Sequence, residues 1–280
     1  MSMRTITKEQ IQSFRNYLID EEKSKATVSK YMHDITDFAK WIGEQEITKQ
    51  AVLKYKEVIG NEYAITSANS MLAAINCFFK MLDWNDLYVK QFKAQKNVFC
   101  PAEKELTKEE YKRLVKTAEQ KNNERLSLTI QTICGTGIRV SELAYITLET
   151  VRHGQATVSC KGKTRIIFII AALQKKLLRY AREHHITSGA IFVTKSGKPM
   201  NRTNIWKEMK SLCKQAGVAS EKVFPHNLRH LFARTFYGLE KDIAKLADIL
   251  GYSSINTTRI YIVATGTEHK RRMENMRLII

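Results

Sequence analysis

Residues 156–170 read ATVSCKGKTRIIFII and contain two short segments that are joined by a basic turn. The segments 156–160 and 164–170 are rich in the β-branched and aromatic residues that favour strands, and Lys161, Gly162 and Lys163 lie between them. The pattern predicts an antiparallel β-hairpin. Because the rest of the chain follows helical spacing, this stretch decides the fold class, which is mainly α with a small antiparallel β-sheet.

Helical patterns flank the hairpin on both sides. The predicted elements are, in chain order, a capping box at 107–110, a helix over 126–134, a break at 135–137, a further helix that begins at 141–145, a helix over 171–184, and helix ends at Gly217 and Gly251. Together with the hairpin they predict an α+β domain.

The first hundred residues show apolar side chains at helical spacing and no strand-like punctuation. The predicted helices cover about 7–18, 27–42, 48–60 and 66–82, with Thr7 opening a capping box and Gly60 ending the third helix. We expect a bundle of four to five helices whose apolar stripes form its core.

Charge divides the chain at about residue 100. Residues 1–100 carry 14 Lys and Arg against 12 Asp and Glu, whereas residues 101–280 carry 32 against 16, and the whole chain has a net charge of +18. Such a charge indicates a polyanionic partner, most simply nucleic acid. We predict a helical domain over 1–95, a linker over 96–106, and a second domain with a C-terminal tail over 107–280.

Cysteine usage and hydropathy bear on the compartment. The five cysteines form no C-x-x-C pair, which argues against a disulfide framework and against a thiolate zinc site. No apolar run approaches the length of a membrane span, and the first residues resemble no signal segment. We therefore expect a cytoplasmic, nucleoid-associated protein with no membrane partner.

Four separated stretches carry an arrangement of basic and tyrosine side chains. They are GTGIRVSEL (135–143) with Arg139, the hairpin turn with Lys161, PHNLRH (225–230) with His226 and Arg229, and LGYSSINTTRIY (250–261) with Tyr252 and Tyr261. Their order and flanking residues resemble the tyrosine recombinase family, which includes phage integrases and Xer-type recombinases. The resemblance implies a helical N-terminal core-binding domain followed by a catalytic domain.

The resemblance also implies a metal-independent reaction on DNA. Breaking DNA without metal or ATP while keeping the bond energy requires a covalent intermediate, and a tyrosine phenolate can form one. In this interpretation Tyr261 is the nucleophile of a 3′-phosphotyrosyl link, and Arg139 and Arg229 clamp the scissile phosphate. Guanidinium groups suit that role because their planar fork bridges two phosphate oxygens.

Proton transfer and support fall to three further residues in the same interpretation. Lys161 is the general acid for the leaving 5′-oxygen, with Lys163 as the alternative on the same turn. His226 assists proton transfer from Tyr261. Glu142, three residues after Arg139, matches the family's acidic residue that supports the pocket.

One position departs from the family pattern. Nine residues before the nucleophile the family usually has His, sometimes Trp, and this chain has Tyr252. A phenol donates one hydrogen bond to a phosphate oxygen but brings no positive charge. We expect a working site with an altered phosphate pocket, and reduced activity stays an open alternative.

The partners implied are duplex DNA and three further copies of the chain, in a tetramer on two DNA sites, with no cofactor and no metal. Accessory DNA-bending proteins stay an open class of partner. The apolar tip formed by Leu278, Ile279 and Ile280 either docks on a neighbouring protomer or folds back on its own domain. Two other functions stay open, namely a non-catalytic DNA-binding protein on the same scaffold and a relaxing enzyme of the type IB topoisomerase class.

Overall fold

The computed structural model describes residues 4–93, 104–160, 163–194, 196–252, 254–255, 258–259 and 274–276. The chain divides into two compact units, Met1–Lys96 and Asn97–Ile280. Of the predicted linker at 96–106, residues 96–103 lie outside the described residues. After that point Leu106 is buried in the core of the second unit, where Glu105 also forms an ion pair with Arg234.

The described residues of the first unit form helices around an aromatic core. The helices are α1 (Lys8–Asp20), α2 (Lys25–Ile42), α3 (Lys49–Glu62) and α4 (Ile65–Met81), followed by a 3₁₀ turn at Asn85–Leu87. Phe14, Phe38, Phe78 and Phe79 are fully buried between them. The rings of Phe14 and Phe78 meet edge to face with centroids 5.2 Å apart, a favourable aromatic geometry.

Helix α3 continues past the glycine at which the sequence pattern predicts its end. It runs to Glu62, so the predicted end at Gly60 is wrong. A Cβ atom on Gly60 would lie 2.6 Å from Cζ of Phe92. This glycine therefore permits the close approach of an aromatic ring and does not stop the helix.

The second unit is helical around one hairpin in the part that the structure describes. Its elements are α5 (Lys108–Gln120), α6 (Glu124–Thr136), a 3₁₀ helix (Val140–Tyr145), α7 (Leu148–His153), β1 (Gln155–Cys160), β2 (Lys163–Phe168), α8 (Ala171–Glu183), α9 (Arg202–Lys210), α10 (Cys213–Ala216), a 3₁₀ turn (Ser220–Lys222), α11 (Pro225–Glu240) and α12 (Ile243–Leu250). The predicted fold class, mainly α with a small antiparallel sheet, is confirmed.

The hairpin pairs β1 and β2 in an antiparallel register. Ala156 lies opposite Ile167, and Val158 lies opposite Arg165. Ala156, Val158 and Ile167 are buried in the main core of this unit. The alternation of buried and exposed positions along both strands is the period-two pattern that the sequence predicts for a half-buried sheet.

The chain between α6 and α7 agrees with the prediction at one position and differs at another. Helix α6 runs to Thr136 and ends with Gly137 in the left-handed conformation, so the predicted break at 135–137 is confirmed. The α-helix predicted to begin at 141–145 is a 3₁₀ helix, Val140–Tyr145. The carboxylate of Glu142 folds back to accept a hydrogen bond from the backbone N–H of Arg139, 2.9 Å away, which tightens this turn.

Some predicted features lie outside the described residues. These are Lys161, Gly162, Tyr261 and the apolar tip at 278–280. Cys77, Cys134 and Cys213, which the structure does describe, have free thiols. Within the described parts of the chain, no helix combines the length and hydrophobicity needed to cross a bilayer.

Candidate active site

The predicted site residues that the structure describes come from three separated segments of the second unit. Arg139 precedes the 3₁₀ helix that contains Glu142, Arg229 lies on α11, and Tyr252 follows the end of α12. Hydrogen bonds and ring contacts join these four residues into one cluster, as described below. Two further predicted catalytic residues, Lys161 and Tyr261, belong to other segments and lie outside the described residues.

A tight glycine turn delivers Arg139 to this cluster. Gly137 has φ +64°, and a Cβ atom there would lie 2.5 Å from Cδ1 of Phe232 and 3.1 Å from Cδ2 of Leu250. Both the backbone conformation and the available space therefore require glycine at this position. The turn packs the segment that carries Arg139 against α11, one helical turn from Arg229.

Glu142 fixes the guanidinium of Arg139. Nη1 of Arg139 donates to Oε1 of Glu142 over 2.9 Å, and the Glu142 side chain is only 3% exposed. Burial lowers the pKa of Arg139, but the hydrogen bond and the charge of Glu142 outweigh it, so the pKa lies above its ordinary value. The side chain of Arg139 remains 33% exposed, so its charge is available to an anion from solvent.

Arg229 is held by backbone carbonyls instead of a carboxylate. Its guanidinium donates to the carbonyl of Gly137 and, over 2.8 Å, to the carbonyl of Leu250. The residue is 2% exposed, and its Nε has no hydrogen-bond partner among the described residues. A guanidinium carries five N–H donors, so the two carbonyls do not use all the donors of Arg229.

The ring of Tyr252 lies against both arginines. The guanidinium carbon of Arg139 is 5.1 Å from the ring centroid, and that of Arg229 is 5.2 Å from it. Each distance is within the range of a cation–π interaction. The residue that departs from the family pattern therefore contributes the aromatic surface on which the two candidate phosphate-binding groups meet.

A third arginine, Arg165, belongs to the cluster although its sequence context did not single it out. It lies on β2, and its side chain is 9% exposed and forms an ion pair with Oε2 of Glu142. The available signal was strand alternation, because Arg165 shares one face of β2 with the buried Ile167 and faces the buried Val158 across the hairpin. A charge on an inward-facing strand position requires a buried partner.

Two of the arginines also bind the C-terminal end of α12. The carbonyl of Leu250 accepts hydrogen bonds from both Arg165 and Arg229, and the carbonyl of Ile249 lies 3.4 Å from Nη1 of Arg165. The last carbonyls of a helix lack partners within the helix and carry partial negative charge. Gly251, with φ +68°, ends the helix directly beside Arg165.

The cluster has an excess of positive charge. The group contains three arginines, Arg139, Arg165 and Arg229, and one carboxylate, that of Glu142, so its formal charge is positive by two. Burial lowers the pKa of Arg165, and the charges of the two other arginines lower it further against the opposing effect of Glu142. Such a buried concentration of guanidinium groups is suited to binding an anion with planar oxygen pairs, such as a phosphodiester.

His226 and His230 lie one turn apart on α11 with their rings edge to face, 4.7 Å between centroids. Burial lowers the pKa of His226, and the charges of Arg229, Arg202 and Arg139 lower it further. Burial also lowers the pKa of His230, to about 4, with contributions from His226 and Arg229. Both imidazoles are therefore neutral near pH 7, and a neutral imidazole can accept a proton.

A metal centre finds no support in the described residues, since they contain no group of three or more His, Cys, Asp or Glu side chains that could hold an ion. What the arrangement can do chemically is bind a phosphate between arginines beside a neutral histidine. These are the elements of electrostatic stabilisation and base catalysis.

The chain is similar to known proteins along most of its length. A model described as "Phage integrase family" matches residues 104–268, more than half of the chain, and one described as "Phage integrase, N-terminal SAM-like domain" matches residues 11–86. Tyrosine recombinase XerA of Pyrococcus furiosus is 28% identical over 288 residues, which cover 100% of this chain and 98% of that protein.

Two solved structures share the fold. A lambda integrase dimer bound to a COC′ core site aligns with a TM-score of 0.74 at 17% identity, covering 91% of this chain and 95% of that chain. The XerH site-specific recombinase bound to its difH substrate, in a pre-cleavage complex, aligns with a TM-score of 0.70 at 19% identity, covering 96% and 84%.

Proposed function

This chain belongs to the phage integrase family of tyrosine recombinases, which are DNA strand-transfer enzymes, and on that premise we propose that it is a site-specific recombinase. In this proposal it breaks and rejoins duplex DNA through a 3′-phosphotyrosyl intermediate on Tyr261. The observation that carries the proposal is the convergence of Arg139 and Arg229 on the ring of Tyr252, at 5.1 and 5.2 Å.

The cleavage step transfers a phosphoryl group from DNA to the protein. The phenolate oxygen of Tyr261 forms a bond to phosphorus as the bond from phosphorus to the 5′-oxygen breaks. Arg139 and Arg229 donate hydrogen bonds to the non-bridging oxygens and neutralise the charge that grows on them in the transition state. Glu142 keeps the guanidinium of Arg139 in position through its 2.9 Å hydrogen bond.

Two protons move in this step. The phenolic proton of Tyr261 passes to His226, whose lowered pKa keeps it neutral and able to accept. The leaving 5′-oxygen takes a proton from Lys161, or from Lys163 as the alternative on the same turn. In the resealing step a 5′-hydroxyl of the recombining strand attacks the phosphotyrosine, and the protons return along the same routes.

Tyr252 occupies the position of the usual histidine and has a different effect on the phosphate. Its phenol donates one neutral hydrogen bond to a non-bridging oxygen. Its ring also stabilises the two guanidinium groups by cation–π contact. We therefore propose that Tyr252 contributes to placing the arginines as well as to binding the phosphate.

The assembly that this function requires is a tetramer on two DNA sites. Solved relatives of the same fold are described as a dimer bound to a COC′ core site and as a tetramer bound to a Holliday junction. For this chain we propose that residues 1–95 form the core-binding domain, that 96–106 link it to the catalytic domain, and that the +18 net charge supplies phosphate contacts.

A covalent-trapping experiment tests the proposal. A binding site is first selected from random duplex DNA, and a suicide version of that site, nicked just downstream of the scissile phosphate, then releases the short fragment that carries the free 5′-hydroxyl after cleavage. The wild-type chain should form a covalent protein–DNA adduct that resists denaturation, and Tyr261→Phe should form none. Tyr63→Phe, which alters an exposed tyrosine of the first unit, is the matched control and should retain the adduct.

The trapping experiment and an assay of supercoil relaxation distinguish the other two functions from a recombinase. A non-catalytic DNA-binding protein, which Tyr252 favours because it replaces the usual histidine, would shift the DNA without forming an adduct. A type IB topoisomerase would form the adduct but would relax supercoils as a monomer on DNA of any sequence. Either result would contradict the recombinase proposal.

A further inference from the structure

We propose that Arg165 is a positioning residue that sets the geometry of the phosphate-binding arginines, an inference that rests on the proposed function. Arg165 itself need not touch the DNA. It binds the partner of each phosphate-binding arginine, namely the carboxylate that holds Arg139 and the carbonyl that holds Arg229. Through these contacts it couples the hairpin to both arginines.

The first contact is with Glu142. One carboxylate oxygen, Oε1, accepts from Arg139 over 2.9 Å, and the other, Oε2, accepts from Nη2 of Arg165. Oε2 also accepts from the backbone N–H of Arg139 over 2.9 Å, so this N–H and Arg165 together fix the rotation of the carboxylate. Without Arg165, Glu142 would lose the charged partner on Oε2, and its full charge would act on Arg139 and draw that guanidinium away from the phosphate.

The second contact is with the end of α12. Nη1 of Arg165 donates to the carbonyl of Leu250, which also accepts from Nη2 of Arg229 over 2.8 Å. Two positive groups therefore share one carbonyl at the negative end of a helix. Since Tyr252 follows this helix end after one residue, the same contact places the ring on which Arg139 and Arg229 meet.

Only an arginine can make both contacts at once. Its two terminal nitrogens point in fixed directions and reach two different acceptors, whereas the ammonium of lysine is a single compact charge. The side chain is 9% exposed and lies among like charges, an arrangement that stability alone does not favour. A function in placing the active site explains why the charge is buried there.

The neighbouring glycine supports this assignment independently. A Cβ atom on Gly251 would lie 2.5 Å from Cδ of Arg165 and 3.3 Å from its Nε. The absence of a side chain at Gly251 therefore leaves the path along which Arg165 reaches the helix end.

The test compares Arg165→Met with the wild-type chain at saturating DNA in single-turnover cleavage. We expect DNA affinity within about threefold of wild type and a cleavage rate about 100-fold lower, because a misplacement of about 1 Å in a catalytic group has effects of that size. Arg165→Lys should recover only part of the rate. Cleavage equal to wild type by Arg165→Met would overturn the proposal.

A neutral substrate separates positioning from a general loss of structure. In a methylphosphonate site, a methyl group replaces one non-bridging oxygen, so the scissile group has no charge for the arginines to neutralise. If Arg165 acts through the arginines, the loss caused by Arg165→Met should shrink at least tenfold on this substrate. An equal loss on both substrates would indicate a purely structural function and would overturn the proposal.

A double-mutant cycle tests the route through Glu142. In a Glu142→Gln background, Arg165→Met should lower the rate much less than it does in the wild-type chain, since the shared partner has already been altered. Independent, multiplicative losses would contradict this route.

A matched pair of glycine variants tests the same contact without removing a charge. Gly251→Ala and Gly217→Ala place alanine at positive φ angles of +68° and +59°, but only the former meets Arg165, while nothing lies within 4 Å of the latter. We expect slow cleavage from Gly251→Ala and a wild-type rate from Gly217→Ala. Equal rates in the two variants would count against the proposal.

The proposed function and this inference fail in different ways. If the wild-type chain forms no Tyr261-dependent adduct, the recombinase proposal fails. If it forms the adduct and Arg165→Met forms it equally fast, only the positioning function of Arg165 fails.

Discussion

The two compact units bury different kinds of side chain. Among the described residues of the first unit, Asp34 is the buried charged group, and the core consists mainly of aromatic and aliphatic side chains. The second unit has a larger apolar core but also buries Glu142 and Arg229, with Arg165 almost as deep. The units also differ in net charge, which is about neutral in the first and strongly positive in the second.

This difference separates stability from chemistry. Burial of apolar side chains stabilises a fold, whereas buried ionic groups often stabilise it no better than apolar residues of the same size. Violations of the ordinary packing pattern are expected at functional sites. We therefore expect substitutions in the first core to lower stability, and substitutions in the arginine cluster to lower catalysis more than stability.

The largest effect should come from Phe38→Ala in the first unit. Phe38 is fully buried, and its ring centroid lies 4.9 Å from that of Tyr55. Its truncation should lower the free energy of unfolding by about 3–5 kcal/mol. Denaturant unfolding followed by tryptophan fluorescence in a Trp206→Phe background, in which Trp41 and Trp84 report on the first unit, measures this loss.

The adduct rate of the folded Phe38→Ala chain should stay within about twofold of wild type, because this residue belongs to the core of the other unit. A much lower adduct rate in a fully folded Phe38→Ala chain would show that the core of the first unit also contributes to cleavage.

The converse change is Arg229→Met. The rate of covalent adduct formation should fall about 10²–10³-fold, the usual effect of removing one donor to a transition-state oxyanion. The free energy of unfolding should change by less than about 2 kcal/mol, because methionine fills part of the space and Leu250 keeps its hydrogen bond from Arg165. Single-turnover cleavage and denaturant unfolding measure the two quantities.

The exposed Arg182 on α8 provides the control for Arg229→Met. Arg182→Met removes the same charge from the surface and should leave the cleavage rate at saturating DNA unchanged. If Arg229→Met lowered the free energy of unfolding strongly and left the cleavage rate of the folded chain unchanged, the contrast between the two units would not hold.

A smaller effect concerns the pH dependence of the second unit. Burial lowers the pKa of His230 to about 4, so the unfolded chain binds this proton more readily than the folded one. The contribution of His230 to stability is therefore present at pH 7 and is lost as the pH falls below about 6.5 towards 4. Between pH 7 and 4.5 this loss should be about 2 kcal/mol.

His230→Gln should remove that part of the pH dependence. Denaturant unfolding of both chains at several pH values measures it, and parallel stability profiles would contradict the expected titration. Because His230 contacts His226, the adduct rate at pH 7 is the control for retained site structure.

Local features of the fold were predictable from the sequence, and features that depend on distant contacts were not. The capping boxes at Thr7 and Thr107 are correct because their hydrogen bonds span only three residues. The end of α3 was predicted wrongly because Gly60 is required by Phe92, which no local pattern connects to it. The 3₁₀ helix near Glu142 likewise depends on a carboxylate that folds back on the backbone.

The candidate site shows the same division. The order of motifs indicated Arg139, Glu142 and Arg229, and the structure brings these residues together with Tyr252. Arg165 was missed because its acceptors, Glu142 and the end of α12, are distant in sequence. Strand alternation shows that Arg165 faces inward, but not which groups neutralise it there.

The smallest expected effect compares the two capping boxes, which differ in one group. Gln10 closes the box of α1, and Glu110 closes that of α5. Burial raises the pKa of Glu110, but the hydrogen bonds from the Thr107 backbone and from Lys222 outweigh it and leave the pKa below its ordinary value. Lys222 lies 2.9 Å from the second carboxylate oxygen, so Glu110 also joins two segments.

Glu110→Gln gives the capping box of α5 the same neutral amide that closes the box of α1. It should lower the free energy of unfolding by about 1 kcal/mol at pH 7, which is the difference between a charged and a neutral hydrogen bond. Since the folded pKa lies below the unfolded one, this contribution is present above about pH 4.5 and is lost as the pH falls through the folded value. Amide hydrogen exchange in α5, corrected for its intrinsic pH dependence, should show the loss at pH 7 and progressively less of it as the pH falls below 4.5. Exchange in α1 serves as the internal control, because Gln10 does not titrate. A loss in α5 that is independent of pH would show that the charge of Glu110 does not stabilise the helix.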